Sequence, residues 1–383
     1  MKLFNRHKEG NKQADMMKAL STVICSLTAC LALQAQTVRK QVVENGGTGP
    51  FKSEVVSDVS CEGFTIYRPQ NLKNVVRKNG KMPIILYANG ACANDNIEIR
   101  YLLSEVASHG YVAAAIGPYN EDDFIEHWRF VMEYMFPKGK DVTLANGEVI
   151  KAKSEIEIKE CIERTMALVQ GTAASGQEED KQNDVFTAFQ TYPRQLLEVL
   201  DWLTEQDADP LSEYYHCLDL DKVSAMGQSC GGAQVLAVAH DSRIKTCIML
   251  NSGIGDTELQ GCSKEILKSL HTSVLYLIGG SMDVCFHNAQ LDFERISNDI
   301  PVVMINTDDG HCGTYCESGG GTYGVIVRKW LDWQLKGNMV QSTLFLDDEY
   351  MKLSFPNWSI VRKIGDRFAM AILLLSGCKQ LTL

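Results

Sequence analysis

Lys222-Val-Ser-Ala-Met226 runs straight into Gly227-Gln-Ser-Cys-Gly-Gly232, then into Ala233-Gln-Val-Leu236, and the reading of the whole chain turns on this stretch. The first five residues make a buried-strand pattern. From about Ser229 to His240 the pattern is helical. The chain therefore passes from strand to helix within Gly227-Gln-Ser-Cys-Gly231. So sharp a turn forces the central residue into strained backbone angles, and side chains two residues to either side of it collide. Glycine at Gly227 and Gly231 removes both collisions. Ser229 is then lifted above the strand ends, and the Cys230 N–H sits at the N-terminus of the new helix.

Working outward, strands and helices alternate on both sides. Gly63 to Pro69 alternates like a half-buried strand, and Pro83-Ile-Ile-Leu-Tyr-Ala88 is a continuous apolar run. Asn94 or Asp95 can cap a helix reaching Ser108, ended by Gly110, with Tyr111 to Ile116 as the next strand. Downstream come a helix from Pro193 to Gln206 and strands at Ile244–Leu250, Ser273–Ile278 and Ile300–Ile305. A last helix spans about Thr322 to Leu335. The expected class is α/β, a doubly wound, mostly parallel sheet. Residues 119–192 break the rhythm with an aromatic helix pattern from Phe124 to Met135. A hairpin signal follows at Asn146-Gly147, between Val142-Thr-Leu and Val149-Ile. This inserted helical and hairpin segment reads either as a lid over a substrate site or as a surface excursion.

A serine hydroxyl is a weak nucleophile and needs a base, which an orienting acid must hold in turn. Strand-exit loops in this order supply serine, then acid, then histidine. His311, in the polar loop Asn306-Thr-Asp-Asp-Gly-His311, is the expected base, with His287 as its competitor. Asp283, after Leu277-Ile-Gly-Gly-Ser-Met, is the expected acid. Asp256 is the alternative, and Asp308 and Asp309 read as turn residues. Two backbone N–H groups are expected to receive a developing oxyanion, those of Cys230 and Ala91. Gly90 allows the tight turn at Ala91, and Asn89 braces it. The expected chemistry is cleavage of a carboxylic ester through an acyl-enzyme.

The chain has 383 residues, 45% hydrophobic and 22% charged, with a formal net charge of −11. An acidic chain has no bulk attraction for nucleic acid or anionic lipid, so neither is an expected partner. The expected partner is a small-molecule or glycan-borne ester. No cofactor is expected, and no metal, because no His/Asp/Glu cluster has catalytic-metal spacing. Lys18, the apolar stretch Ala19 to Leu33 and the small residue Ala35 describe a signal peptide over residues 1–35, with Met16 or Met17 as alternative starts. Leu27-Thr-Ala-Cys30 also fits a lipoprotein box, which would leave Cys30 lipidated. Either reading sends the protein out of the cytoplasm, secreted or in the envelope, with no transmembrane span in the mature form. Of 13 cysteines, two precede Ala35, and the eleven that remain cannot all pair within one chain. Cysteines in apolar strands, such as Cys247, read as small buried hydrophobes. An apolar tail, Phe368 to Leu375, lies in residues 366–383 and has no evident role.

From about Gly49 to Gly337 the chain resembles the dienelactone-hydrolase-like and cutinase- or polyester-hydrolase-like branch of the α/β-hydrolases. The matching pieces are Gly49-Pro50-Phe51, Tyr67-Arg68-Pro69, Asn89-Gly90, Gly227 to Gly232, Asp283 and His311. The resemblance implies an α/β-hydrolase domain over 36–383, a Ser229–His311–Asp283 triad and oxyanion donation at Ala91. It also implies a disulfide between the acid and histidine loops, Cys285 with Cys312 or Cys316. Relatives carry His-Gly-aromatic where this chain has Asn89-Gly90-Ala91, and some carry tryptophan where Gln228 stands. The insertion is also longer than in compact polyester hydrolases. Three other readings share this scaffold: a prolyl-oligopeptidase-like serine peptidase, an acyltransferase and a non-catalytic binding module.

Overall fold

The computed structural model describes residues 38–119, 142–143, 149–150, 154, 156–157, 191–281 and 283–364. Ten strands form one sheet: β1 (Val38–Gln41), β2 (Ser53–Asp58), β3 (Phe64–Pro69), β4 (Met82–Ala88), β5 (Val112–Ile116), then β8 (Leu218–Gln228), β9 (Ile244–Leu250), β10 (Ser273–Ile278), β11 (Val302–Asn306) and β12 (Ser359–Lys363). Their order is β1-β2-β3-β5-β4-β8-β9-β10-β11-β12. The six from β5 to β11 are parallel, and the outer strands pair antiparallel. The remaining two, β6 (Val142–Thr143) and β7 (Val149–Ile150), pair with each other, as the hairpin reading expects.

Helices cover both faces because strand side chains alternate. Ile84, Leu86 and Ala88 of β4 join one core. That core also takes in α1 (Leu72–Asn79), α3 (Arg194–Ala208), α4 (Cys230–Val238) and α5 (Phe286–Arg295). Ile85 and Tyr87 join the other core, with α2 (Arg100–Ser108) and α6 (Gly321–Gln334). Trp330 of α6 is fully buried there, and its Nε1–H donates to Thr246 Oγ1 at 2.9 Å. The helix expected from Asn94 or Asp95 instead opens as a 3-10 turn at Ile97–Ile99, and the α-helix starts at Arg100. Asn96 explains the delay. Its side chain donates to Gly117 O at 2.7 Å and to Thr65 Oγ1 at 3.0 Å, which holds its backbone outside the helical region.

Gly49-Pro50-Phe51 matters for packing. A Cβ at Gly49 would lie 2.3 Å from the Ser108 carbonyl oxygen, and the Phe51 N–H donates to that oxygen at 3.0 Å. Arg68 is buried between Glu54 at 3.0 Å and Glu213 at 2.6 Å.

The winding fixes where a site can form. From β4 the chain steps to β5 on one side, then crosses to β8 on the other. The carboxyl ends of β4 and β8 thus flank a topological switch point, where the loops leave to opposite faces and open a crevice. No helix among the described residues is long and apolar enough to cross a membrane. The signal peptide expected over residues 1–35, Cys30, nearly all of the 119–192 segment and the 366–383 tail lie outside the described residues.

Candidate active site

Ser229 stands at the end of β8 with φ 51° and ψ −118°, in a region that costs an L-residue about 1–3 kcal/mol. The surroundings leave it no alternative. Its N–H donates to Leu250 O at 3.0 Å, and its carbonyl accepts from Gly232 N at 2.9 Å and from Ser252 Oγ at 2.7 Å. A Cβ at Gly227 would lie 2.3 Å from the Gly231 carbonyl oxygen, and one at Gly231 would lie 2.1 Å from that of Ala88. Both glycines are required for the close approach that the sequence pattern suggests.

His311 Nε2 lies 2.9 Å from Ser229 Oγ, and His311 Nδ1 lies 2.7 Å from Asp283 Oδ1. With the proton on Nδ1, Nε2 is free to accept from the serine hydroxyl. His311 and Asp283 are buried, while Ser229 is half-buried. Burial alone pushes the Asp283 carboxyl up. The His311 charge and hydrogen bond, with the N–H groups of Gly279 and Cys285, outweigh it and hold the carboxyl below its ordinary range. Gly279 N donates to Oδ2 and Cys285 N to Oδ1, each at 2.9 Å. The acid loop and the histidine loop lock together. Gly310 N donates to Gly279 O at 2.7 Å, and a Cβ on Gly279 would meet that Gly310 carbonyl at 1.8 Å.

The competing residues lie elsewhere. His287 is exposed on α5, and Asp256 pairs with Lys264 and Arg295 at the surface.

Ala91 and Cys92 form a left-handed pair at φ 52° and 50° on the turn leaving β4. Asn89 Nδ2 donates to Ala93 O at 3.0 Å and to Ile116 O at 2.8 Å, and so braces this turn as expected. The Cys230 N–H is among the first of α4, where backbone donors lack helical partners. The two segments are joined covalently, because Cys92 and Cys230 form a disulfide.

That bridge corrects the expected pairing. Cys285, Cys312 and Cys316 are all free. The Cys285 thiol faces Ser229 and the Gly253 backbone, whereas Cys312 and Cys316 lie beside each other and Glu98. Burial and the nearby Asp283 and Asp292 charges push the Cys285 thiol well up, so it stays protonated beside the serine. Cys61, Cys217, Cys247 and Cys262 are buried thiols, as the pattern suggests.

Several residues at the site escaped sequence reasoning. Asn251, at φ 46° where β9 ends, donates to Asp283 Oδ2 at 2.8 Å and to Gly310 O at 2.9 Å. Its own Oδ1 accepts from the Tyr315 hydroxyl. Gln228 donates to the His311 carbonyl at 3.1 Å, and a Cβ on Gly90 would strike its Oε1. Gln228 thus touches both the turn after β4 and the histidine loop. Thr191, where the insertion returns, donates to Cys92 O at 3.0 Å and accepts from Gln234 Nε2.

Among the described residues one set of metal-capable donors comes together: Asp283, Cys285 and His311, within 4.8 Å of one another. Two ligands of a tetrahedral ion stand about 3.3 Å apart. Asp283 Oδ1 and His311 Nδ1 are already closer than that, at 2.7 Å. The arrangement suits proton transfer from Ser229 through His311. No protein-family model matches the chain, and no curated protein matches it either.

Proposed function

We propose that this protein is an α/β-hydrolase that cleaves carboxylic esters through an acyl-enzyme on Ser229. The observation that carries the reading is the unbroken chain Ser229 Oγ–His311–Asp283 at 2.9 and 2.7 Å, with the serine in a strained turn at the sheet's switch point. Ser229 Oγ attacks the ester carbonyl as His311 Nε2 takes its proton. Asp283 holds the imidazole and balances its charge. The oxyanion of the tetrahedral intermediate is received by the N–H groups of Cys230 and Ala91. His311 then gives its proton to the leaving alcohol. Water repeats the cycle on the acyl-enzyme, and the acid is released. No metal or cofactor enters this scheme. The substrate is a small or glycan-borne ester. A disulfide between Cys92 and Cys230 supports an extracytoplasmic location, since such bonds persist in oxidising compartments.

The test is hydrolysis of p-nitrophenyl acetate, butyrate and octanoate by the wild type beside Ser229→Ala. Turnover in the wild type that is lost in a folded Ser229→Ala variant supports the reading. A folded wild type inert toward all three esters counts against it.

A further inference from the structure

We propose that the Cys92–Cys230 disulfide is a redox control on the oxyanion hole, so that the enzyme gains full activity only when this bond forms. The inference rests on the serine-hydrolase reading and adds a regulatory device to that site. The two cysteines occupy particular positions. Cys230 directly follows the nucleophile and carries one of the proposed oxyanion donors. Cys92 directly follows Ala91, which carries the other. The bond joins residues 138 apart in sequence and holds their Cα atoms 5.3 Å apart, across the crevice between β4 and β8.

The turn needs such a hold. Ala91 and Cys92 are consecutive L-residues at φ 52° and 50°, a conformation that disfavours any residue with a Cβ. A single backbone bond, Ala93 N to Gly90 O at 3.0 Å, closes the turn; Asn89 braces its start at Ile116 O, and Asn89 and Thr191 donate to Ala93 O and Cys92 O on its downstream side. The covalent hold on the left-handed pair comes from the Cys92 side chain. Released, the pair relaxes toward negative φ and turns the Ala91 N–H away from Cys230. Ser229, His311 and Asp283 make no bond to Cys92, so the triad survives the change.

Redox balance is simple. The Cys92 and Cys230 thiols give up two electrons and two protons to a disulfide-bearing oxidant, which leaves as its dithiol. Dithiothreitol drives the reverse, ending as its own cyclic disulfide. The other seven described cysteines are free, so a reductant has this one target among the described residues.

The experiment compares oxidised wild type, wild type treated with dithiothreitol and reoxidised, and the Cys92→Ser/Cys230→Ser double variant. Three quantities are read: kcat and KM for p-nitrophenyl acetate, the inhibition constant of phenylboronic acid, and thermal unfolding. A boronate bound to Ser229 places an oxygen in the oxyanion hole, so it reports the hole directly. The expected result is a kcat about 10²-fold lower without the bond, as for loss of one oxyanion donor. Phenylboronic acid should weaken by a similar factor, KM should stay within about threefold, and reoxidation should restore the wild type. A double variant that still unfolds cooperatively but keeps wild-type kcat and boronate affinity overturns the inference alone. An oxidised wild type inert to both ester and boronate overturns the hydrolase reading, and this inference with it.

Discussion

Replacing Gly231 with alanine puts a methyl carbon 2.1 Å from the Ala88 carbonyl oxygen, 2.4 Å from its carbon and 2.8 Å from the Asn89 oxygen. All three are main-chain atoms at the end of β4, within the sheet, so no flexible side chain can move aside. Relief requires the start of α4 and the exit of β4 to part by about 1 Å. The disulfide from Cys230 to Cys92 resists that parting, because it ties the same two segments. The displacement therefore falls on the peptides that carry the proposed oxyanion donors. A misplacement of about 1 Å costs roughly 10²-fold in rate, and loss of a donor roughly 10²–10³-fold. Overpacking of this kind also costs about 1–3 kcal/mol of stability, a Tm lower by a few degrees. The assay is kcat and KM for p-nitrophenyl acetate beside a melting curve. The expected outcome for Gly231→Ala is a kcat at least about 10²-fold lower with KM little changed. Gly80→Ala is the control. That glycine sits at φ 82° with nothing near its missing Cβ, so alanine there adds only backbone strain of about 1–2 kcal/mol and leaves kcat intact. A Gly231→Ala enzyme with kcat within threefold of wild type refutes the reasoning, as does an equal kcat loss in Gly80→Ala.

Three further outcomes follow from the carboxylates. Asp283→Asn should keep the fold but favour the His311 tautomer with its proton on Nε2, lowering kcat by about 10⁴-fold in the same ester assay. Glu105 is pushed up by its burial, yet hydrogen bonds from His109 and from Thr48 pull it down to about 2. Its stabilisation is therefore complete above its ordinary value near 4.5 and lost as pH falls through about 2. Glu105→Gln should be less stable than wild type by about 2–3 kcal/mol between pH 5 and 7, with the urea-unfolding curves converging toward pH 2. Asp292 runs the other way. Burial raises it to about 6 despite N–H donors from Ile254 and Gly255, so it binds a proton more tightly folded than unfolded. Its contribution is complete below about 3.8 and lost as pH rises through about 6. Wild-type stability should fall by roughly 2–3 kcal/mol from pH 4 to pH 7 relative to Asp292→Asn, and parallel curves for the two proteins would count against this origin.

The parallel core strands are legible in sequence because burial on both faces makes them continuous apolar runs, as in Pro83 to Ala88 and Ser273 to Ile278. Elements whose partners are polar or distant are not. Helix α5 packs Phe286, Ala289 and Phe293 on one face, but only Ala289 and Asp292 are fully buried, so its apolar stripe is thin and broken by a charged residue. Strand β2 offers two valines and owes its place to pairing with β3. The 3-10 start at Ile97 depends on Asn96 reaching Gly117, which no local pattern encodes.

The same division runs through the site. Ser229, Asp283 and His311 each follow a readable strand, and parallel strands deliver their exits to one end of the sheet. The bonds that align them join residues far apart in sequence: Asn251 to Asp283, Gln228 to the His311 carbonyl, Gly310 to Gly279. The disulfide is an intermediate case. Cys230 is an expected oxyanion donor from the elbow itself, and Ala91 follows only once that elbow is recognised. Two donors that serve one oxygen atom must stand within a few ångströms of each other. Cys92, the residue after Ala91, is then brought beside Cys230 by that requirement. The pairing implied by the resemblance, Cys285 with Cys312 or Cys316, would instead cross the acid and histidine loops, which are already joined by Gly310 N to Gly279 O and by Asn251. The covalent bond is found instead where the backbone is left-handed at two consecutive residues, in a turn closed by one backbone hydrogen bond from Ala93 N to Gly90 O.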